Sequence, residues 1–539
     1  MRYGCAFGER GGKVNQVSIL DCTLRDGGYV NDFKFGHQQM TDIVSLLAKA
    51  NIEIIECGFL REGASDKDRS LFDSVESIKD VIEYKDPNCF YVAMIQYGAI
   101  PVSQISDNDH SVIDGIRLTF HEDEIDDAFE CAKALIEKGY EVFVQPVGTT
   151  TYSDENLLRL IGMINTIKPQ AFYIVDTLGT MYKRDLRRLY YIVDHNLDKS
   201  IAIGFHSHNN LQMSFANAQE LIQLSGARKI IIDASVLGMG RGAGNLNTEL
   251  ITQFLNINYD CNYSQIELMK IIDGYIRPLQ SSYKWGYDAA YYIAAVVGCH
   301  PNYASYLLNL QTLNMQSINL ILKGLSPEKC SLYDKQYIQQ VYREFMECNV
   351  EDSQEIDELK CMLCGKKIVL MAPGKSLQEN KTVIEDYRNK GFFLISINTI
   401  YKPIKPDMLF ISNMRRFQSL NPGDADGIPI VLTSNILHEK DERYFVINYS
   451  DYLNENHDVM DNAGLMCLNL LERLEAGEVV LAGFDGFQTH GEKNFVNSEM
   501  DTLFDEERLI DMNTAIKKRI EQLKTRLNIS FIGDSIYSR

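Results

Sequence analysis

The sequence lacks the features that would place it among nucleic-acid-binding, membrane or secreted proteins. No basic patch is found, and 74 acidic against 53 basic residues give a formal net charge of -21. Because such a chain repels polyanions, binding to nucleic acids or to acidic membranes is not expected. No apolar stretch reaches membrane length and no secretory segment is visible, so we expect a cytoplasmic protein with reduced thiols.

The twelve cysteines do not form a pattern that defines a disulfide framework. They are scattered, and several lie within apolar runs that resemble strands. Cys361 and Cys364 form a single CxxC pair with no second pair nearby. We interpret this pair as a coincidence in a linker rather than as a zinc or redox site.

The length and the composition indicate a multidomain globular protein. The chain has 539 residues, of which 45% are hydrophobic and 24% charged. This is too long for one compact unit and long enough for two or three domains.

The first half of the chain alternates short apolar runs with segments of helical periodicity. Amphipathic helices are predicted between the runs, for example over Gln38 to Ala50 and over Asp154 to Ile167, the second opened by a Ser153 cap. Eight such strand–helix units predict a TIM (β/α)8 barrel over residues 14–258. The runs interpreted as strands, from their β-branched and aromatic residues, are QVSILDC, IEIIECG, CFYVAMI, VIDGIRLTF, EVFVQPV, AFYIVD, IAIGFHSH and KIIIDASV.

Polar residues stand at the ends of several of these strands. Catalytic groups of a TIM barrel lie at the C-terminal ends of the strands, so these residues are expected to share one face. That face would contain Asp21 to Asp26, Glu56, Gln145, Asp176, His206 and His208.

Two of the strand ends carry a pattern that suits a metal ion. His206 and His208 are two residues apart, which places both imidazoles on one side of an extended strand end. An isolated His-x-His is often a surface or core pair, but the end of the seventh barrel strand favours ligands. Asp26 would complete a facial set with open positions for a substrate. In the glycine-rich loop after the eighth strand, Asn245 could supply a carbonyl oxygen.

Three motifs, LDCTLRDG, GFHSHNN and LGMGRGAGN, occur in this order on strands one, seven and eight. Together they resemble the HMG-CoA lyase-like superfamily, which includes 4-hydroxy-2-oxovalerate aldolase and isopropylmalate synthase. The resemblance covers roughly the first half of the chain. It implies that Asp26, His206 and His208 are the metal ligands, with Asn245 a neighbouring one.

The same resemblance implies an aldolase or lyase that uses a divalent metal, Mn²⁺ or Mg²⁺, with Zn²⁺ and Co²⁺ as alternatives. Arg25 would stabilise the oxygen of a pyruvate-like enolate, and Glu56 would orient Arg25. This assignment agrees with physical expectation, since an enolate needs a Lewis acid and a fixed donor. The expected partners are therefore a 2-oxoacid and an aldehyde.

The general base is left open. In the aldolase branch of the superfamily a histidine stands where this sequence has Tyr29, and a phenol has an ordinary pKa of about 10. Tyr29, His37 and a water molecule on the metal are the options. Claisen-type synthases of the superfamily carry an acidic or Glu-Gln pair after Arg-Asp-Gly, whereas this chain has GGYVND. An acyl-CoA synthase or lyase is therefore a less favoured alternative.

Two further segments follow the barrel. Residues 259–346 have a helical pattern with a break at Pro301, similar to the helical extension that couples the aldolases to a dehydrogenase. We also expect a homo-oligomer and a dehydrogenase partner, although no motif in the sequence indicates either. Residues 347–364 are polar and acidic, and we interpret them as an exposed linker or short helix.

Residues 365–539 have the pattern of a separate open α/β domain, Rossmann-like in character. Six runs are interpreted as its buried strands, KKIVLM, GFFLISIN, DMLFIS, IPIVLTS, RYFVIN and EVVLAGFDGF. Gly374 begins a Gly-Lys-Ser triplet, but Val369 occupies the first glycine of the Walker spacing, so a P-loop is excluded. The segments MAPGKSL, ISIN, DNAGLMCLNLL and VVLAGFDGF resemble sialyltransferase-like nucleotide-sugar domains. This resemblance implies a nucleotide bound by Gly374, Ser376, Asn398 and Asp485, with a silent appendage as the alternative.

The sequence thus predicts an aldolase or lyase of 2-oxoacids. The fused nucleotide-type domain favours a role in the biosynthesis of surface carbohydrates or specialised precursors. The alternative of a different class is a binding or scaffold protein whose barrel has lost turnover, which the tyrosine at position 29 keeps open.

Overall fold

The computed structural model describes residues 16–64, 66–437, 441–488, 495 and 506–538, and the chain divides into two compact units. The first unit comprises residues 1–304 and 330–332, and the second comprises residues 305–329 and 333–539. Residues 14, 15 and 65 of the predicted barrel lie outside the described residues, as do residues 438–440, 489–494, 496–505 and 539 of the predicted second domain.

The first unit contains a closed parallel barrel of eight strands. Each strand pairs in parallel with its neighbours, and β1 pairs with both β9 and β2, which closes the barrel. The short β3 lies outside the barrel, and among the described strands it pairs with β2 alone. The predicted TIM barrel is therefore confirmed. The strands are β1 (Val17–Asp21), β2 (Ile54–Leu60), β3 (Leu71–Phe72), β4 (Phe90–Gln96), β5 (Gly115–Phe120), β6 (Glu141–Pro146), β7 (Ala171–Asp176), β8 (Ala202–Ser207) and β9 (Ile230–Ala234).

Helices connect the strands and bury their apolar faces against the barrel. In α4 the predicted cap is present, because the Asn156 N–H donates to Ser153 Oγ at 3.1 Å. Apolar residues of α1, such as Ile43 and Leu47, are buried in the same core as the strands. These helices are α1 (His37–Lys49), α2 (Val75–Ile78), α3 (Ile125–Glu137), α4 (Asp154–Ile167), α5 (Lys183–Asn196), α6 (Ser214–Leu224) and α7 (Thr248–Tyr259).

Helical segments follow the barrel, as the sequence indicates. Leu268 of α8 and Trp285 belong to the core of the barrel. The predicted extension, 259–346, is divided between the two units near residue 304. The helices are α8 (Gln265–Ile271), α9 (Arg277–Ser282), α10 (Ala289–Val297), α11 (Pro301–Leu310), α12 (Met315–Lys323), α13 (Pro327–Cys330) and α14 (Lys335–Met346).

The predicted linker, residues 347–364, contains a helix, α15 (Ser353–Leu363). Its Leu359 and Leu363 are fully buried. Cys361 and Cys364 are both exposed and free. In the part of the chain that the structure describes, no helix is long and apolar enough to cross a membrane.

The second unit contains an open parallel sheet of seven strands in the order β14-β13-β12-β11-β10-β15-β16. The strand order reverses between β10 and β15, the position at which open α/β sheets bind ligands. The strands are β10 (Lys367–Met371), β11 (Phe393–Ile397), β12 (Met408–Ile411), β13 (Ile430–Thr433), β14 (Tyr444–Ile447), β15 (Glu478–Ala482) and β16 (Asn528–Ile532). The helices are α16 (Ser376–Glu379), α17 (Lys381–Asn389), α18 (Met414–Ser419), α19 (Ala463–Arg473) and α20 (Glu506–Leu523).

Candidate active site

Asp26, His206 and His208 lie together at the C-terminal end of the barrel strands. One potential ligand atom from each residue lies within 4.8 Å of the other two, and all three residues are buried. Asp26 follows β1, His206 lies in β8, and His208 follows that strand. The structure therefore brings together the three residues that the motifs single out, in a cluster whose donors suit a divalent cation.

The ionisation of this cluster suits a metal ligand set. Burial raises the pKa of Asp26, but the Arg25 guanidinium and then His208 outweigh that effect and hold it well below its usual range. Burial lowers the pKa of His208 to about 3. At neutral pH the cluster consequently offers a carboxylate and a neutral imidazole, the forms that bind cations.

A buried carboxylate orients His206. The ring Nδ1 of His206 lies 3.0 Å from Asp233 Oδ2, which leaves Nε2 as the nitrogen available to a ligand. The pKa of Asp233 is raised by burial, but the charge of Arg117 and the hydrogen bond from His206 lower it below its usual value. Such a carboxylate–histidine pair fixes the tautomer and the orientation of a ligating imidazole.

Arg25 is held by two carboxylates and retains one free group. Its Nε donates to Glu56 Oε2 at 2.8 Å, and its Nη1 donates to Asp26 Oδ1 at 2.7 Å. Arg25 Nη2 is buried and has no hydrogen-bond partner within the described residues. Since an unpaired buried donor is costly, this nitrogen is a candidate to receive an oxygen of a bound substrate.

Asn245 contacts the cluster through its amide nitrogen. Its Nδ2 donates to Asp26 Oδ2 at 2.7 Å and to the Met239 carbonyl at 3.1 Å. Its Oδ1, the atom predicted to face a metal, is buried without a hydrogen-bond partner in the described parts of the chain. The structure thus places Asn245 beside Asp26, with its carbonyl oxygen not engaged by the protein.

The glycine-rich loop packs directly on Asp26. A Cβ at Gly240 would lie 2.4 Å from Asn245 Nδ2 and 3.0 Å from Asp26 Oδ2, so only glycine allows this approach. Asn210, which follows the His-x-His pair, fixes the loop because its Oδ1 accepts the Ala243 N–H at 2.9 Å. The second and third motifs therefore form one structure around the cluster.

The two side-chain candidates for the general base lie in different settings. Tyr29 is 39% exposed and packs edge-on against Phe33 and Phe59. The Arg241 guanidinium lies over its ring, 4.0 Å from the centroid. His37 begins α1, and its imidazole makes no hydrogen bond within the described residues. The role of Tyr29 stays a prediction.

Three other strand-end residues have structural partners. Asp21 accepts hydrogen bonds from the Thr23 N–H and from Thr248 Oγ1, and Asp176 accepts them from two backbone N–H groups of the loop after β7. Burial raises the pKa of each carboxyl to about 6. Gln145 lies 3.5 Å from Asp233. Asp21 and Asp176 thus hold the loops at the ends of β1 and β7.

One residue that the sequence reasoning missed links the two halves of the site. Arg117 of β5 is fully buried, and it donates through Nη1 to Glu56 Oε2 at 2.6 Å and through Nη2 to Asp233. It therefore joins the carboxylate that holds Arg25 to the carboxylate that holds His206. The sequence signal for this pair was a charged residue inside an apolar strand, Arg117 in GIRLTF and Asp233 in KIIIDASV.

In the second unit, three of the four predicted nucleotide contacts meet at the reversal of strand order. Ser376 donates to Asp485 through both its N–H, at 2.8 Å, and its hydroxyl. A Cβ at Gly374 would lie 2.8 Å from Asp485 Oδ2. Asn398 follows β11 and accepts the Ser412 N–H at 3.2 Å. Because Asp485 already engages these donors of Ser376, nucleotide binding here stays a prediction.

Comparison with known proteins agrees with the motifs. Residues 115–273 match the HMGL-like family. The chain is 27% identical to an oxaloacetate decarboxylase of Mycobacterium tuberculosis, over 44% of this chain and 69% of the relative. It is 25% identical to a 4-hydroxy-2-oxovalerate aldolase of Geobacillus genomosp. 3, over 49% of this chain and 78% of the relative.

Among solved structures, the chain resembles the N-terminal domain of a candidate aldolase from Bacteroides vulgatus, with 26% identity and a TM-score of 0.47, over 54% of this chain and 96% of that one. The two relatives and this structure each match about half of the present chain. The family match over residues 115–273 and the two relatives confirm the resemblance to the HMG-CoA lyase-like superfamily that the three motifs indicate. The resemblance of the second unit to sialyltransferase-like domains stays a prediction.

Proposed function

We propose that the barrel binds a divalent metal ion and makes or cleaves a carbon–carbon bond of a 2-oxoacid through a pyruvate-like enolate. One observation carries this proposal. The Asp26, His206 and His208 cluster lies beside an arginine whose Nη2 is buried and without a hydrogen-bond partner in the described chain. A cation site and a fixed donor side by side are what an enolate oxygen requires.

The residues present fit a metal ion. Asp26, His206 and His208 would hold it, and the Oδ1 of Asn245 is a further oxygen that the protein leaves without a hydrogen bond. Mn²⁺ or Mg²⁺ is the metal we propose. When bound, it would act as a Lewis acid toward the carbonyl of the 2-oxoacid. The buried Asp233 keeps His206 in the tautomer that binds a cation.

Arg25 is assigned the enolate oxygen. In the cleavage direction the hydroxyl of a 4-hydroxy-2-oxoacid loses its proton to the general base, for which Tyr29, His37 and a water molecule are the options. The bond between C3 and C4 then breaks, and an aldehyde leaves. The bonding electrons pass to the pyruvate enolate, which is then protonated at C3. Arg25 Nη2 donates to the enolate oxygen as its charge develops, while Glu56 and Asp26 keep the guanidinium in place.

The names of the relatives agree with this intermediate. Loss of carbon dioxide from oxaloacetate and loss of an aldehyde from a 4-hydroxy-2-oxoacid both leave the enolate of pyruvate. The two relatives are described by these two reactions. We therefore assign the enolate to this chain and treat oxaloacetate as a substrate to be tested beside the hydroxy-oxoacids.

Hydrogen exchange at C3 of pyruvate tests the proposal without knowledge of the aldehyde. We expect the full-length protein with Mn²⁺ to exchange these protons for deuterium in D₂O, as followed by NMR, and we expect EDTA to stop the exchange. A panel of aldehydes and oxaloacetate is then used to find the productive partner. Failure to exchange with Mn²⁺, Mg²⁺, Zn²⁺ or Co²⁺ would contradict the proposal and favour the scaffold alternative. Exchange of acetyl-CoA protons instead would favour a Claisen-type enzyme.

Replacing Asp233 by asparagine is expected to weaken metal binding. An amide accepts the His206 N–H less strongly than a carboxylate does, so the imidazole is a poorer and less well oriented ligand. Loss of such a carboxylate typically costs about 10- to 100-fold in metal affinity or activity. The dissociation constant of Mn²⁺, measured by calorimetry on the metal-free protein, checks this prediction.

Asp194→Asn is the matched control for Asp233→Asn. Asp194 also accepts a hydrogen bond from an arginine of the barrel, at 2.8 Å from Arg228 Nε, but it lies in α5 and contacts no residue of the cluster. We expect its Mn²⁺ affinity to match that of the wild type. Equal affinities in both variants, with both folded by circular dichroism, would show that Asp233 does not support a metal ligand.

A further inference from the structure

Arg241 lies next to the metal-ligand cluster, in the glycine-rich loop. Its neighbour Gly240 packs on Asp26, where a Cβ would lie 3.0 Å from the carboxylate. After burial and nearer charges, the Arg241 guanidinium also lowers the pKa of Asp26 and of His208. After burial, it is the largest effect that lowers the pKa of His300. The positive charge of Arg241 therefore acts directly on the site.

The loop around Arg241 is fixed rather than merely adjacent. Gly242 and Gly244 have φ values of 62° and 82°, which favour glycine, and the Gly244 carbonyl accepts the Asn209 N–H at 2.7 Å. The guanidinium lies 4.0 Å from the centre of the Tyr29 ring. Both the backbone and the side chain of Arg241 thus have defined positions, as a group that recognises a ligand needs.

Arg241 differs from the other arginines of the site, because no carboxylate of the described residues pairs with it. Arg25 and Arg117 are each paired with two carboxylates and are buried. Among the residues that the structure describes, Arg241 forms no ion pair, and it is partly exposed. A guanidinium held over an aromatic ring beside a site remains able to bind a carboxylate or a phosphate with two hydrogen bonds.

We propose that Arg241 selects the aldehyde partner and that this aldehyde carries an anionic group, a carboxylate or a phosphate. The inference rests on the proposed aldol function and extends it to the class of the second substrate. Arg25 is buried against Asp26 and serves the oxygens of the 2-oxoacid. Arg241 is partly exposed and lies over the ring of Tyr29, which is 39% exposed, so its guanidinium is accessible from solvent.

Pairs of aldehydes that differ in charge test this assignment. The phosphate pair is D-glyceraldehyde 3-phosphate and D-glyceraldehyde, and the carboxylate pair is succinic semialdehyde and butanal. With full-length protein, Mn²⁺ and pyruvate, we expect kcat/KM to be at least tenfold higher for the anion in one of the pairs. Arg241→Gln should lower that preference at least tenfold, chiefly by raising KM for the anionic aldehyde. The pair that shows the preference identifies the anion.

Two controls make the result specific. Arg159→Gln removes the same charge from the outer helix α4, where Arg159 pairs with the exposed Asp126, and it should keep the wild-type preference. Arg241→Lys keeps the charge but loses the planar fork, so an intermediate preference is expected. Pyruvate exchange in D₂O, which needs no aldehyde, shows that each variant is folded and active.

The outcomes separate this inference from the function on which it rests. No pyruvate exchange by the wild type overturns the aldol function, and the inference with it. Exchange by the wild type with no preference for either anionic aldehyde overturns the inference alone. An unchanged preference in Arg241→Gln also overturns the inference, because another residue must then bind the anionic group of the aldehyde.

Discussion

Replacing His208 by alanine is expected to remove most of the bound divalent metal and all metal-dependent turnover. The imidazole Nε2 lies 4.0 Å from Asp26 Oδ2, and its pKa of about 3 makes it a neutral ligand at every pH near 7. Its loss leaves only Asp26 and His206 of the three proposed ligands, beside the neighbouring Asn245 oxygen, and this set is too weak to hold an exchangeable ion firmly. Elemental analysis after dialysis and the pyruvate exchange rate are the measurements.

The barrel should stay folded in this variant. Its core consists of strand and helix side chains such as Ile19 and Ile203, which are fully buried, rather than of the cluster at its end. His195→Ala is the matched control, because His195 is exposed near the end of α5. Full metal occupancy in His208→Ala, or the same loss of metal in His195→Ala, would contradict the assignment of the ligands.

The barrel and its cluster were predictable because each signal is local in sequence. All eight barrel strands appear where apolar, β-branched runs predict them. Residues that follow parallel strands must meet at one end of a barrel. The sequence alone therefore predicts that Asp26 and His208 lie close together. The two-residue spacing of His206 and His208 indicated that these residues bind a cation.

The partners that hold these residues depend on how the closed barrel packs. Arg117 lies on β5 and Asp233 on β9, strands that do not pair with each other, and their contact crosses the barrel interior. The contact between Tyr29 and Arg241 likewise joins loops after the first and the last strand. Residue spacing carries no information on such contacts. Each of these two contacts depends on the three-dimensional arrangement of the whole barrel.

In the second unit, six strands were predicted and a seventh was missed. That strand, β16, has the sequence NISFI at the edge of the sheet, and of its five residues only Ile532 is buried. Its pattern lacks the continuous apolar run of a central parallel strand. The order of the strands, with its reversal between β10 and β15, also depends on long-range pairing that the alternation of strands and helices does not determine.

Replacing Arg25 by lysine is expected to slow turnover at least tenfold, which corresponds to about 1.4 kcal/mol or more of transition-state stabilisation. The guanidinium uses Nε for Glu56, Nη1 for Asp26 and, in our proposal, Nη2 for the enolate oxygen. A lysine ammonium keeps the charge but is a point donor without the planar fork, so it cannot reproduce these three directions at once.

Whether Arg25→Lys lowers the reaction rate or the Mn²⁺ affinity distinguishes a catalytic from a structural role for Arg25. If Nη2 acts on the developing enolate, Arg25→Lys should lower kcat and the pyruvate exchange rate together, while Mn²⁺ affinity changes little, because Asp26, His206 and His208 are all retained. Arg228→Lys is the control, because it makes the same arginine-to-lysine substitution at another buried arginine. Arg228 contacts Asp194 and backbone carbonyls away from the cluster. Near-normal exchange by Arg25→Lys would mean that the enolate charge is held without this guanidinium. A loss of Mn²⁺ binding equal to the loss of rate would instead assign Arg25 to the support of Asp26.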